Sequence, residues 1–148
     1  MALIFSPIGA ILVLMVPLPP RLTTADREPT EGALTAIKAL SRVFKAWRVN
    51  GETAATLSGV SERTWTRMRS GAWSGSLNQD QRMRASALIG LYKGLHLYFG
   101  DPLADQWVKM PNRGPLFKGR SPLDHMQEGG LPAMMETREY IDAVRGGM

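Results

Sequence analysis

The chain predicts an all-α fold, a helix-turn-helix module followed by a smaller helical module, and three observations carry that prediction. Apolar residues recur at three- and four-residue spacing, strand-like alternation is missing, and the residues between the apolar runs are ones that cap or stop helices. Taken in order, Leu34, Ile37, Leu40, Phe44 and Trp47, widened by Val43, form one stripe, while Lys38, Arg42, Lys45 and Arg48 take the opposite face. Asn50-Gly51 is expected to stop this helix. Two short segments follow, Glu52 to Ser58 and Glu62 to Arg69, separated by Gly59-Val60-Ser61. Ser61 is placed to cap the second and Ser70-Gly71 to close it. The long segment from Gln79 to Phe99 carries Met83, Ala87, Leu88, Leu91, Leu95 and Phe99 on one stripe, with Asn78 as its cap and Gly100 at its end. That stripe is wide enough to be core rather than a dimer seam. Asp101-Pro102 is expected to open a short helix, Asp as cap, that turns Leu103 and Trp107 inward. From Met110 to Arg120 the chain reads as a loop rich in Pro, Gly and Arg. Ser121-Pro122 restarts a helix that Gly129-Gly130 stops, and Pro132 opens a last one through Arg145, with Leu131, Met134, Met135, Ile141 and Val144 apolar.

The domain division expected from this pattern is residues 1–30 outside the fold, 31–100 as the helix-turn-helix module and 101–148 as the second module. Within the first stretch, Met1 to Val16 has thirteen apolar residues of sixteen and no charge. It is short for a membrane span and Pro7 interrupts it, and it lacks the basic start and cleavage site of a secretory signal. An apolar arm packing on the body or on a dimer mate, or an over-extended translation start, is expected instead, followed by a polar linker from Arg21 to Glu31.

Charge and composition narrow the chemistry. The 148 residues include no cysteine, which removes disulfide scaffolds, thiolate metal sites and cysteine nucleophiles, and only two histidines. The net charge of +5 is concentrated: from Arg42 to Lys93 nine basic residues face three acidic ones, a local balance of +6, while the rest of the chain sums to −1. Nucleic acid is the leading partner for such a centre.

The spacing at that centre is that of a helix-turn-helix. Ala55, Gly59, Val60 and Trp65 supply the required order: Ala55, four residues before Gly59, lets two short helices approach, Gly59 takes the turn, and Trp65 fills the space beneath. The second helix would enter the major groove, with Ser61, Glu62, Arg63, Thr64, Thr66 and Arg67 offering donors and acceptors. Arg69, with Lys45 and Arg48 of the preceding helix, would meet phosphates. A plain helical hairpin with a solvated basic face is the competing reading. Trp73, in the Gly71-to-Gly75 loop, is expected to be free for contact.

A catalytic constellation is not legible. His96 sits beside Leu95 and Leu97 with no carboxylate or second histidine three or four positions away, and His125 follows Asp124, whose side chain an adjacent helical residue does not face. Arg138 and Asp142 have ordinary i, i+4 spacing on a solvated face, and no phosphate-binding glycine loop is present. The expectation is a protein that is not an enzyme, with no cofactor and no metal.

Particular strings carry a resemblance. Val60-Ser61-Glu62-Arg63-Thr64-Trp65, the run from Gly71 to Gln81, and Ser86 to Lys93 resemble the Xre/MbcA/ParS-type antitoxins. Met110 to Phe117, Gly119 to Leu123, Glu128 to Pro132 and Tyr140 to Ala143 resemble that family's toxin-binding domain, and the likeness runs from about Leu34 to Gly147. The resemblance implies a cytoplasmic antitoxin whose partner is a RES-domain toxin that degrades NAD. Neutralisation would consist of covering the toxin's active site, with promoter DNA as a further partner and a homodimer or toxin–antitoxin hetero-oligomer as the assembly. It implies toxin-binding candidates at Asn112, Arg113, Phe117, Lys118, Arg120 and Glu128. One departure is that Gly51 stands where the family commonly opens the first helix of the motif with Gln, which is expected to shorten or fray that helix and makes DNA binding the less secure of the two activities. The alternative is a free-standing helix-turn-helix transcriptional regulator, which would bind DNA with steep salt dependence and have no protein partner.

Overall fold

A computed structural model describes residues 29–146, so the expectations for the apolar N-terminal run fall outside the described residues. Within them the chain is helical, with no strand. The first helix, α1 (Glu31–Ala46), starts at Thr30, whose hydroxyl accepts from the Ala33 N–H at 3.2 Å. It buries Ala33, Ile37, Leu40, Val43 and Phe44. Leu34, placed inward by spacing, is 40% exposed, because the stripe is rotated so that Ala33 takes the inward position.

Asn50-Gly51 does not stop α1. The helix ends at Trp47, Arg48 takes the left-handed turn at φ 53°, and Asn50 opens the next helix by accepting from the Thr53 N–H at 2.8 Å. Asn serves at either end of a helix, and here the turn had already been made upstream. The helix it caps, α2 (Gly51–Ser58), therefore runs its full eight residues, and the fraying expected from Gly51 is not seen. Ser61 caps α3 (Glu62–Ser70) as expected, accepting from the Thr64 N–H at 3.1 Å. Trp73 is half-buried against the core and not the free contact the loop composition implied.

The longest helix before the loop is α4 (Gln79–Tyr98), opened by a reciprocal pair in which the Asn78 side chain accepts from the Gln81 N–H and the Gln81 side chain accepts from the Asn78 N–H. Ala85, Ala87, Leu88, Leu91, Gly94 and Leu95 are buried, so the stripe is core, but Met83 at its start is 38% exposed. The short α5 (Leu103–Gln106) is not capped by Asp101, whose carboxylate instead lies 3.5 Å from His96 Nδ1. Ala104 rather than Leu103 points inward, and Trp107 follows into the core in a 3-10 turn, Trp107–Lys109. The last helix, α6 (Pro122–Arg145), starts on a Ser121 cap and is broken at Gly130 (φ 66°, ψ −148°), where the sequence placed a stop.

One hydrophobic core joins these elements, from Ile37 and Phe44 on α1 through Leu88, Leu91 and Leu95 on α4 to Met134 and Ile141 on α6. The most extensive helix pairing is α4 against α6, and Gly94 permits it: a Cβ there would lie 3.1 Å from Ile141 Cγ2. Among the described residues, two buried side-chain polar atoms lack a hydrogen-bond partner, Trp47 Nε1 and Ser58 Oγ. Ser58 is buried and its hydroxyl has no hydrogen-bond partner, so Ser58→Ala, which removes an unsatisfied polar atom without opening a cavity, is expected to stabilise the chain by about 1 kcal/mol. A thermal melt with an unchanged or lower midpoint would show that the hydroxyl is satisfied in solution.

Candidate functional site

Two surfaces carry the functional candidates. The first is the exposed side of α3, held in place by the turn before it. Gly59 adopts φ 75°, a left-handed conformation that a side chain would strain, and a Cβ there would also fall 2.9 Å from the Arg84 side chain. The turn closes with the Gly59 N–H donating to Thr56 O and the Val60 N–H to Ala55 O. Beneath α3, buried Trp65 packs edge-on against Phe44 of α1, ring centroids 5.3 Å apart. Arg84 ties α4 to the motif: its Nε donates to Asp80 at 2.8 Å and its Nη1 to Thr56 O at 3.2 Å.

This geometry divides the seven DNA-binding candidates. Ser61 and Thr64 are occupied with capping, since the Ser61 hydroxyl accepts the Thr64 N–H and donates to the Thr64 hydroxyl at 2.9 Å. The Thr66 hydroxyl donates to Glu62 O on its own helix, leaving its exposed methyl and lone pairs for a partner. Arg67 is exposed and donates to Ala72 O at 3.3 Å, a contact easily exchanged, and Arg63 is exposed with no ion pair among the described residues. Glu62 and Arg69 share the side of α3 that turns toward α1 and α2. The Glu62 carboxylate lies 3.5 Å from where a Gly51 Cβ would be, and Arg69 lines a concavity with Lys45 and Arg48. Arg63, Thr66 and Arg67 are thus the outward set.

The second surface is the segment between the 3-10 turn and α6. Asn112 shapes it: its N–H donates to Arg120 O at 3.1 Å, its carbonyl accepts the Gly119 N–H at 2.8 Å, and its side-chain oxygen accepts the Gly114 N–H at 2.8 Å. Phe117, expected as a contact, belongs to the core. It is 1% exposed, with Trp107, Tyr140 and His125 rings at 5.7, 5.3 and 5.5 Å, so no partner can reach it without unfolding the segment. The sequence offered no apolar periodicity in this loop from which burial could be read.

The remaining candidates stay at the surface. Arg113 is exposed and has no ion-pair partner among the described residues, and exposed Lys118 sits in the left-handed region at φ 53°, followed by Gly119 at φ 86°. Arg120 and Glu128 are paired with each other, across the start of α6. Exposed apolar residues stand on neighbouring elements: Leu97 and Tyr98 at the end of α4, Leu103 on α5 and Met110 after the 3-10 turn. Arg138 and Asp142 make the i, i+4 contact that their spacing implied, at 3.8 Å.

No carboxylate stands three or four positions from His96 along the chain. The α4–α5 turn supplies two: Asp105 Oδ1 is 2.8 Å from Nε2 and Asp101 Oδ1 3.5 Å from Nδ1, with the Tyr92 ring at 4.3 Å. Both contacts cross a turn, which linear spacing along one helix does not reveal. Burial, then the charges of Asp105 and Asp101, raise the Tyr92 hydroxyl above its ordinary pKa. His125 likewise meets Glu136 at 3.3 Å across the break in α6.

A helix-turn-helix followed by a second helical segment is the architecture of a two-part antitoxin, and both parts match family models. Residues 27–90 match the antitoxin Xre-like helix-turn-helix domain, and residues 95–147 match the antitoxin Xre/MbcA/ParS C-terminal toxin-binding domain. The chain belongs to the Xre/MbcA/ParS antitoxin family. It is also similar to the uncharacterized protein y4oB of Sinorhizobium fredii (strain NBRC 101917 / NGR234), 31% identical over 112 residues, which span 75% of this chain and 84% of that protein. No helix among the described residues is long and apolar enough to cross a membrane.

Proposed function

We propose that this antitoxin neutralises a RES-domain, NAD-degrading toxin by covering its active site with the segment after Met110, and that it does so without chemistry of its own. The observation that carries this reading is the state of that segment. Asn112 and the buried Phe117 ring fix its backbone, while Arg113 and Lys118 project from it without ion-pair partners among the described residues. A rigid loop presenting two cations that are unpaired among the described residues costs little ordering entropy on binding, and would pair with toxin carboxylates at the mouth of the active-site cleft, not with the phosphate-binding groups inside it. The exposed Leu97, Tyr98, Leu103 and Met110 supply apolar area for the same contact.

The test is co-expression with a RES-domain toxin, sought first in the reading frames beside this gene. Arg113→Glu with Lys118→Glu changes only exposed side chains, so the melting temperature should hold while growth rescue is lost and toxin affinity falls by about 100-fold. Full rescue by the double reversal would overturn the contact assignment. The absence of any RES toxin that the intact chain silences would overturn the reading itself.

A second activity, binding of the protein's own promoter, is proposed from the outward set on α3. Arg63, Thr66 and Arg67 lie on one exposed face, with the helix anchored from behind by Trp65. Arg67 and Arg63 are assigned to base edges or adjacent phosphates. The chain would act as a homodimer or within a toxin–antitoxin hetero-oligomer in the cytoplasm.

A further inference from the structure

Lys45, Arg48 and Arg69 converge on a concavity of about 430 Å³ between the end of α1, the start of α2 and the end of α3. None of the three makes an ion pair in the described residues, although partnered cations are common elsewhere: Arg84 has Asp80, Arg120 has Glu128, and Arg138 and Arg145 have Asp142. Cations gathered without counter-charge repel one another, and the arrangement is favourable only when an anion joins it. Ser41 and Asn50 add polar groups to the rim.

The wall behind these cations is rigid. Phe44 and Trp65 line the concavity and lock α1 to α3, so the Lys45 and Arg69 stems leave a fixed floor. Arg48 is held by its own left-handed backbone, and Lys109 Nζ donates to its carbonyl at 2.7 Å. An acid adjoins the site: the Glu62 carboxylate lies 3.5 Å from where a Gly51 Cβ would stand, at the start of α2.

We propose that this concavity seats one phosphate diester of duplex DNA, and that Glu62 opposes the phosphate instead of reading a base. The ligand chemistry, an anionic phosphate ester, is shared with free nucleotides, whose monoester carries more charge than the diester of DNA. Duplex DNA is favoured because the concavity adjoins the α3 helix, whose exposed Arg63 and Arg67 give the same ligand a second set of contacts. The proposal rests on the DNA-binding reading and sharpens it. Arg63 and Arg67 would contribute register and sequence preference, whereas the seat would contribute affinity that is blind to sequence.

The experiment uses the full chain, with a duplex from its own upstream region and an unrelated duplex of equal length, over about 50–200 mM salt. Lys45→Gln with Arg69→Gln should weaken both duplexes alike by roughly tenfold and make the slope of log K against log salt shallower by about one. Lys93→Gln with Arg145→Gln, an equal loss of charge elsewhere, should leave the slope as it was, and Glu62→Gln should tighten both complexes. Melting curves confirm that each variant folds, since every altered side chain is exposed. If the Lys45/Arg69 variant keeps the original slope while Arg63→Ala with Arg67→Ala abolishes binding, the seat is wrong and the DNA reading stands. If the intact chain binds neither duplex at the lowest salt, both fall. Adenosine monophosphate is the remaining arm: binding that the Lys45/Arg69 variant loses, alongside unimpaired DNA binding, would reassign the site to a free nucleotide and overturn the proposal.

Discussion

Phe117→Ala should destabilise the folded chain by about 3–5 kcal/mol, the usual loss for a buried aromatic ring replaced by a methyl group. The ring is 1% exposed and is surrounded by Trp107, Tyr140 and His125. Truncation would remove the wall against which Trp107 and Tyr140 pack, and those large rings cannot both collapse into the gap. The loop would be released as well, because the Phe117 and Lys118 N–H groups donate to Gly114 O, and Asn112 closes the same turn. A total stability of about 5–15 kcal/mol leaves such a variant close to its unfolding threshold at growth temperature. Urea denaturation of Phe117→Ala beside Arg113→Ala separates the two possible roles. A core residue lowers the midpoint sharply, whereas a contact residue leaves it alone and weakens only toxin binding. Phe117→Leu, which keeps most of the volume, should recover much of the loss. An Ala variant that melts at the wild-type midpoint would return the ring to the surface.

This residue also marks where the sequence stopped being informative. Helices with strong periodicity and unambiguous caps were legible: Ser61, Asn78 and Ser121 open the helices that their side chains imply, and Gly129-Gly130 marks the break in α6. Punctuation that serves two purposes was not. Asn50-Gly51 reads equally as a stop or a start, and only Arg48, a residue with no preference for the left-handed turn, decides between them. The inward side of a helix was legible to within one position, which is why Leu34 and Met83 lie nearer the surface than their spacing suggested. In the candidate site, the outward Arg63 and Arg67 follow from helical geometry once Trp65 is known to point inward. Phe117 and the carboxylates around His96 depend on contacts across turns, and a loop without periodicity contains no sign of which of its side chains is buried.

Ending the chain after Met110 should abolish cooperative folding of the whole molecule, not simply delete a toxin-binding appendage. Residues beyond that point contribute Phe117, Leu123, Met126, Met134 and Ile141 to the shared core. Their burial stabilises the fold by about 1.5–3 kcal/mol each, so the five together amount to roughly 7–15 kcal/mol, which equals or exceeds the stability of a typical domain. The loss is compounded on α4, where Leu88, Leu91 and Leu95 would be uncovered, and at Gly94, whose missing side chain is of use only while Ile141 packs against it. The helix-turn-helix would lose support too, since Gln127 Nε2 on α6 donates to the Thr53 hydroxyl of α2 at 3.0 Å. Circular dichroism of the shortened chain is therefore expected to show reduced helicity and a broad melt without a sharp midpoint, and DNA binding should disappear together with toxin neutralisation. A sharp transition near the intact chain's midpoint, with DNA binding retained, would mean instead that the first three helices and α4 form an independent unit and that α6 only leans on it. Because the two activities are expected to fail together on truncation, only surface changes such as the Arg113 and Lys118 reversals can separate them.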